Sequence, residues 1–367
     1  MGSDVILVIV VVTALAFDFT NGFHDTANAI ATSVSTRAMS PRFAVALSAV
    51  LNFAGAFISL KVAATVGSGI VDPGAVTTTV VFAGLVGAIA WNIATWWLGL
   101  PSSSSHALIG GLIGAAFAAD GAGAINGDGI IEKVLVPAAV APVLAFVVAA
   151  IAILLIYRMV GRLRPGPVNR GYRLGQIVSG SMFSLAHGTN DAQKTMGIIT
   201  LALIAHGNLP ADKFDVPFWV VLSSAAAIAL GTYTGGWRII RTVGSRIIKM
   251  DPAQGFSAQG AGAAVVLTAS HLGFPLSTTH VITGGVMGAG AAKRLSAVRW
   301  GLAGNIVVAW VLTLPAAAAI GALVYAVSSA FGSGALGPLV VALALLGALV
   351  VVFARRFAQQ RVVAAEG

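Results

Sequence analysis

The chain contains no cysteine, which excludes disulfide frameworks, thiol nucleophiles and cysteine-ligated metals together. Charge is almost as scarce. Lys, Arg, Asp and Glu supply 9% of 367 residues, against about 25% in an average soluble domain. So few charges cannot wet the surface of a soluble fold of this length. A disordered chain is excluded too, because it needs low hydrophobicity, and here 57% of residues are hydrophobic and mean hydropathy is +0.93. The net charge of +9, from 21 basic and 12 acidic residues, does not imply a nucleic-acid partner. In a chain this apolar, a basic excess belongs on the cytoplasmic loops of a membrane protein. The lipid bilayer is the expected environment.

A spanning helix needs about 20 mostly apolar residues. Candidates are 43–66, 80–98, 134–157, 217–237, 300–327 and 336–353, while 5–36 and 174–206 are longer and interrupted by polar residues. The start, Met1 to Asp4 followed by an apolar run from Val5 to Phe17, lacks the basic lead of a secretory signal, so the run reads as a retained helix. Two Gly-rich runs, 101–118 and 275–291, begin with Pro and a Ser/Thr cluster. They read as half-helices of re-entrant hairpins, paired with 80–98 and 261–273.

Charge placement orients these segments. With the N-terminus outside the cell membrane, Arg37 and Arg42, the cluster from Arg158 to Arg173, the cluster from Arg238 to Lys249, Lys293 to Arg299, and Arg355 to Arg361 all fall on the cytoplasmic side, as the positive-inside rule asks. The C-terminus is then cytoplasmic.

The sequence also contains itself twice. Gly22-Phe23-His24-Asp25-Thr26-Ala27-Asn28-Ala29 matches Gly188-Thr189-Asn190-Asp191-Ala192-Gln193-Lys194-Thr195, and Pro101-Ser102-Ser103-Ser104-Ser105-His106 matches Pro275-Leu276-Ser277-Thr278-Thr279-His280. Lys61 to Ser68 resembles Arg238 to Ser245. The matches keep one order and nearly one offset, and the topology starts the two copies on opposite sides. The expected fold is an all-α integral membrane protein of two inverted repeats with broken helices and re-entrant hairpins, a plan that puts binding at the midplane. Its divisions are 1–157 (first repeat), 158–173 (basic cytoplasmic loop), 174–327 (second repeat) and 328–367 (an extra helix and tail).

Within these motifs, Asp25 and Asp191 stand out. A carboxylate inside a membrane segment is costly and marks function by default; it can carry a coupling proton or coordinate a cation. The alternative is a buried structural ion pair, for which Lys194 is a partner one turn from Asp191. Asn21, His24, Asn28, His187, Asn190, Gln193 and Lys194 surround the two carboxylates, with Asn21, His24 and Gln193 grouped with them around the coupling ion and Asn28, Asn190 and Lys194 with the substrate, and Gly22 and Gly188 beside them read as helix breaks. His24 is the natural proton carrier of the set, since imidazole titrates near neutral pH, unless it is a satisfied polar bridge. Ser102, Ser103, Ser104 and Ser105, with Ser277, Thr278 and Thr279, sit at helix starts. There they either cap free amides or form, with the amides, a cradle for an anion. His106 and His280 fix those turns or join the site.

These residues resemble the paired signatures of the PiT inorganic phosphate transporter family, and the Pro-Ser-Ser-Ser-Ser-His and Pro-Leu-Ser-Thr-Thr-His blocks resemble its other repeated element. The resemblance runs from about Phe19 to Pro315. It implies a symporter, commonly a homodimer, with inorganic phosphate on the Ser/Thr blocks and with Asp25, Asn28, Asn190 and Asp191 around substrate and coupling ion. Gly22-Phe23-His24-Asp25 is similar to the bacterial low-affinity Pit branch, which implies proton coupling. Sodium-coupled animal members carry glutamates where this chain has Asn52 and Gln259, which weakens the case for sodium; Asp25 and Asp191 would be its ligands if sodium were the coupling ion. The expected protein is thus no enzyme and needs no organic cofactor. It imports phosphate, free or as a metal–phosphate complex, with protons. The alternatives are sodium coupling, or sulfate or another tetrahedral oxyanion as cargo.

Overall fold

The structure is a computed structural model and describes residues 2–72, 76–210, 213–332 and 334–347. The regular structure among the described residues is helical, apart from an isolated bridge between Val71 and Ile125. Six helices form a first set: α1 (Gly2–Ser35), α2 (Pro41–Gly55), α3 (Lys61–Ser68), α4 (Thr78–Leu98), α5 (Ser104–Asp120) and α6 (Gly127–Val160). Six more follow in matching order: α7 (Pro165–Ala205), α8 (Phe218–Thr234), α9 (Trp237–Arg246), α10 (Pro252–Leu272), α11 (Thr278–Lys293) and α12 (Trp300–Ser329). A short apolar helix, α13 (Leu336–Gly347), comes after the second set. The remainder of the expected 336–353 helix, with Arg355, Arg356 and Arg361, lies outside the described residues.

Several boundaries differ from those read in the sequence. The stretch 43–66 is two helices, α2 and α3, separated at 56–60. Its counterpart 217–237 divides in the same way, with α8 and α9 meeting at a 59° bend where Gly235 adopts φ +74°. The basic stretch 158–173 is mostly helix rather than loop: α6 runs to Val160 and α7 starts at Pro165.

The larger correction concerns the signature helices. Neither α1 nor α7 breaks at Gly22 or Gly188; both run unbroken through their motifs. The glycines serve packing instead. A methyl at Gly22 would collide with the backbone oxygen of Ile228 on α8, and one at Gly188 with that of Asn52 on α2. Small residues at crossings let membrane helices approach to backbone contact.

Helices α1 and α7 run antiparallel. Asp4, in the first turn of α1, lies 3.8 Å from His206 at the end of α7, whereas Thr36, just past the end of α1, donates to Gln176 near the start of α7 at 2.5 Å. Equivalent helices of opposite direction are what an inverted repeat requires.

The two hairpins are built alike. Helix α4 ends on Gly99 in the left-handed conformation (φ +68°), and α10 ends on Gly273 in the same conformation (φ +85°), where a missing Cβ removes the steric cost. Pro101 and Pro275 follow. Ser103 then caps α5, accepting from the amide of His106 at 3.1 Å, and Ser277 caps α11, accepting from His280 at 3.2 Å. The tight turns carry their Ser/Thr blocks to mid-length on α1 and α7, in the protein interior. Two buried apolar clusters flank this centre, one around Phe82, Leu108 and Met196, the other around Phe183, Ile239 and Ile282. The outer faces of α6 and α12 expose Val140, Leu144, Ile151, Val308 and Val311, as a bilayer-facing surface does.

Candidate functional site

The motifs of both repeats converge on one buried polar cluster, and its hydrogen bonds obey the internal symmetry. In the first repeat, Ser104 donates to Asp25 Oδ2 at 2.5 Å; in the second, Thr278, the matching residue, donates to Asp191 Oδ2 at 3.1 Å. Two further matched bonds cross between repeats. Asn28 of α1 donates to Thr279 at 2.8 Å, and Lys194 of α7, its counterpart, donates to Ser105 at 2.5 Å. The equivalent residues His24 and Asn190 also tie each signature to its own hairpin, through partners one position out of register: His24 meets Thr95 at 3.2 Å, and Asn190 donates to Ser270 at 2.8 Å. His106 and His280, also equivalent, touch edge to face with ring centres 4.7 Å apart.

The two carboxylates are compensated differently. Asp25 Oδ1 lies 2.6 Å from His24 Nδ1 and accepts from Thr279 at 3.3 Å. Asp191 is ion-paired with Lys194 and lies 2.9 Å from His187 Nε2. The Lys194 ammonium also reaches the Leu276 carbonyl at 2.8 Å. All these side chains are buried, where an ion pair without full hydrogen bonding would cost more than it returns. The Lys194 ammonium meets this condition with three acceptors. Ligand atoms of Asp25, His187 and Asp191 lie within 4.8 Å of one another, a grouping able to hold a cation between the repeats.

The expected residues do not all face this centre. Asn21 does, accepting from Ser104 at 2.7 Å. Ser102 sits behind His24, donating to Thr95 at 2.7 Å and lying 3.4 Å from His24 Nε2. Ser103 and Ser277 are occupied as caps. Asn190 holds the second hairpin, binding Ser270 and the Phe274 carbonyl at 3.2 Å. Gln193, grouped above with the coupling residues, is a structural cap: its Oε1 accepts from the amides of Val62 and Ala63 at 2.9 and 3.2 Å, satisfying free donors at the start of α3. Asn52 and Gln259 are both buried and hydrogen-bonded. Asn52 donates to Thr232 at 2.8 Å and meets His187 Nδ1 at 3.1 Å; Gln259 donates to the Ala29 carbonyl at 2.8 Å.

Thr95, Thr232, Ser270 and His187 complete the surrounding shell. The hydroxyls carry no motif of their own and emerge only from packing, whereas His187 stands four residues before Asp191 on the same helix face. Asp18 was a further signal in the sequence: seven residues before Asp25, it shares that helix face, and it is fully buried.

Comparison with known proteins agrees with this geometry. A family model described as "Phosphate transporter family" matches residues 21–170 and again 162–321, so the duplication appears as two matches. A Mycobacterium bovis protein named "Probable low-affinity inorganic phosphate transporter" is 55% identical over 320 residues, covering 87% of this chain and 77% of the relative. Proteins of the same name from Rhizobium meliloti (54% identical; 87% and 96% covered) and Bacillus subtilis (47% identical; 88% and 96% covered) match equally broadly. Among solved structures, one described as "The sodium-dependent phosphate transporter" superposes with a TM-score of 0.80 at 26% identity, covering 87% of this chain and 98% of that one.

Proposed function

The chain belongs to the phosphate transporter family, and from that premise we propose that it imports inorganic phosphate by proton symport, binding the anion between its two repeats. It is a membrane transporter rather than an enzyme. The observation that carries the mechanism is the symmetric set of donors at the hairpin turns. Ser104, Ser105, Thr278 and Thr279 face the signature helices, with Asn28 and Lys194 beside them. In this reading the anion exchanges the present internal bonds for its own oxygens, and the turns, held at the starts of α5 and α11, supply backbone amides and favourable dipoles.

Phosphate near neutral pH carries one to two negative charges, and a negative-inside potential opposes entry by about 2.3 kcal/mol per charge per 100 mV. Cotransported protons offset that cost, as would entry of a neutral metal–phosphate complex. Asp25 with His24, and Asp191 with His187 and Lys194, are the groups assigned to charge compensation. The buried carboxylates also favour phosphate over sulfate, because protonated phosphate donates a hydrogen bond that a carboxylate accepts and sulfate has no proton to give.

Sodium coupling is the second reading. The cation-sized grouping of Asp25, His187 and Asp191 favours it, and the structural neighbour is described as sodium-dependent. Against it, Asn52 and Gln259 supply neutral amides, each already hydrogen-bonded, where a carboxylate would strengthen a cation site. An N-terminus outside the plasma membrane and a cytoplasmic C-terminus are part of the same proposal, supported by the basic clusters near the ends of α6 and α9. A homodimer, implied by the family resemblance, would use part of the exposed apolar surface of the bundle.

The test is uptake of radiolabelled phosphate into proteoliposomes with proton and sodium gradients imposed separately. Uptake driven by the proton gradient with sodium absent is the expected result. Absence of uptake under both gradients would sink the transport proposal, and uptake that needs sodium and ignores protons would sink the coupling.

A further inference from the structure

Asp25 and Asp191 each have compensating partners, but a third buried carboxylate does not. Asp18 lies on α1 with no exposed surface, and among the described residues neither of its oxygens has a hydrogen-bond partner. Thr195 of α7 and Asn21 of α1 lie beside it without a bond of normal geometry, and the Thr195 hydroxyl is itself without a partner. The charged groups acting on Asp18 are Asp191 and Lys194, both on α7, and these two are already paired with each other. Helices α4 and α8, which also pack along α1, contain no Asp, Glu, His, Lys or Arg. His106 at the start of α5 and His280 at the start of α11 contact each other. Arg238, Arg241 and Arg246 of α9 lie toward the opposite end of α1, since Gly236 and Gly244 of that segment abut Phe23 and Ala31.

An isolated carboxylate charge cannot stay in such a place. Among the described residues Lys194 is committed to Asp191, and Thr195 and Asn21 make no bond of normal geometry to Asp18, so its desolvation is not repaid and the group neutralises instead. Neutralisation requires a proton or a bound cation, and Thr195 and Asn21 are too few ligands for the six oxygens or so that a hard cation gathers.

We infer that Asp18 is a proton-binding site of the transport cycle, distinct from the anion site, loaded in the state seen here. Asp18 and Asp25 are seven residues apart, two turns along one face of α1, which is about 10 Å. Asn21 stands between them and shares Ser104 with Asp25. Under the proposed orientation Asp18 is the outer of the two. A proton from the outside solution forms an O–H bond on the Asp18 carboxylate, is carried while the group is dry, and leaves to water when the cytoplasmic-facing state hydrates it. The ionised carboxylate takes a new proton on return. The inference rests on the proton-symport reading for its role in coupling, while the bound proton is a separate claim.

Two measurements separate these claims. Infrared difference spectra on adding inorganic phosphate to the purified protein should show a protonated-carboxyl C=O band that vanishes in Asp18→Asn and shifts but persists in Asp18→Glu. In proteoliposomes carrying a pH-sensitive dye, Asp18→Asn should lose proton influx and gradient-driven accumulation of phosphate while phosphate counterflow persists; Asp18→Glu should retain all three. Wild-type proton-driven accumulation in Asp18→Asn would overturn the inference and leave symport standing. A band lost in Asp18→Asn from a wild type that ignores proton gradients would overturn symport and leave the proton site standing. A wild-type spectrum without a band that depends on Asp18 would overturn the site.

Discussion

Lys194 on α7 donates to Ser105 at the tip of the other repeat's hairpin, Nζ to Oγ 2.5 Å. Its counterpart Asn28 on α1 donates to Thr279 at 2.8 Å. Each signature helix therefore grips the hairpin of the opposite repeat. Any motion that opens the site to one side must loosen at least one grip, and an anion that replaces both bonds would release the repeats from each other. The asymmetry matters as well: one grip is neutral and the other cationic, so the second repeat carries the positive charge that an anion site needs.

Removing that charge separates stability from transport. Lys194→Met leaves Asp191 buried without its cation, and breaking one partner of a buried pair costs about 3–5 kcal/mol. The expected outcome is a clear drop in melting temperature in detergent together with loss of phosphate uptake. The double variant Lys194→Met with Asp191→Asn removes both charges and should recover most of the melting temperature but none of the uptake. Recovery of uptake would show that the pair is only structural.

Asp25→Asn and Asp191→Asn are each expected to abolish coupled uptake while the protein remains folded and monodisperse in detergent. Asparagine preserves the shape and keeps an acceptor for Ser104 or Thr278, so the loss would report charge rather than packing. Wild-type uptake in either variant would contradict the role given to that residue.

The matched hydroxyls make a symmetric prediction. Ser104→Ala removes the 2.5 Å bond to Asp25, and Thr278→Val the 3.1 Å bond to Asp191. In the proposed site these hydroxyls turn from the carboxylates to the anion, where a hydrogen bond to a charged group contributes about 1.5–3 kcal/mol, so each substitution should weaken apparent phosphate affinity by roughly tenfold or more. Ser103→Ala, which removes only a helix cap worth about 1 kcal/mol, should lower the melting temperature with a smaller change in KM. Equal effects on KM from Ser103 and Ser104 would mean that the block acts through its fold and not through contact.

Much of this site was legible because duplication writes it twice. Asp25 and Asp191, the Ser/Thr blocks and the hairpin turns were all found from matched residues, and they come together at the centre. Two kinds of feature were hidden. Gln193 and Asn190 have motif positions, yet one caps α3 and the other holds a hairpin, because residues on one helix face several neighbours and the motif does not say which. Thr95, Thr232 and Ser270 have no repeat signature and acquire meaning only from what packs against them.

The glycines give the sharpest contrast between the two readings. If Gly22 and Gly188 marked breaks in their helices, the backbone there would need a freedom that alanine lacks. If they merely sat in exposed helices, alanine would stabilise each by up to about 1 kcal/mol, because it is the better helix former. The structure supports neither effect: a Cβ at Gly188 collides with the Asn52 carbonyl on α2, and one at Gly22 with the Ile228 carbonyl on α8. Neither obstacle is a flexible side chain that can swing away. Gly22→Ala and Gly188→Ala should therefore destabilise through overpacking, by about 1–3 kcal/mol each, seen as lower melting temperatures in detergent. Gly260, with open space where its Cβ would be, is the control on another helix: Gly260→Ala should be neutral or stabilising. Destabilisation at the two motif glycines but not at Gly260 would locate the requirement at the helix crossings, and these crossings are what hold the signature helices close enough to share one site.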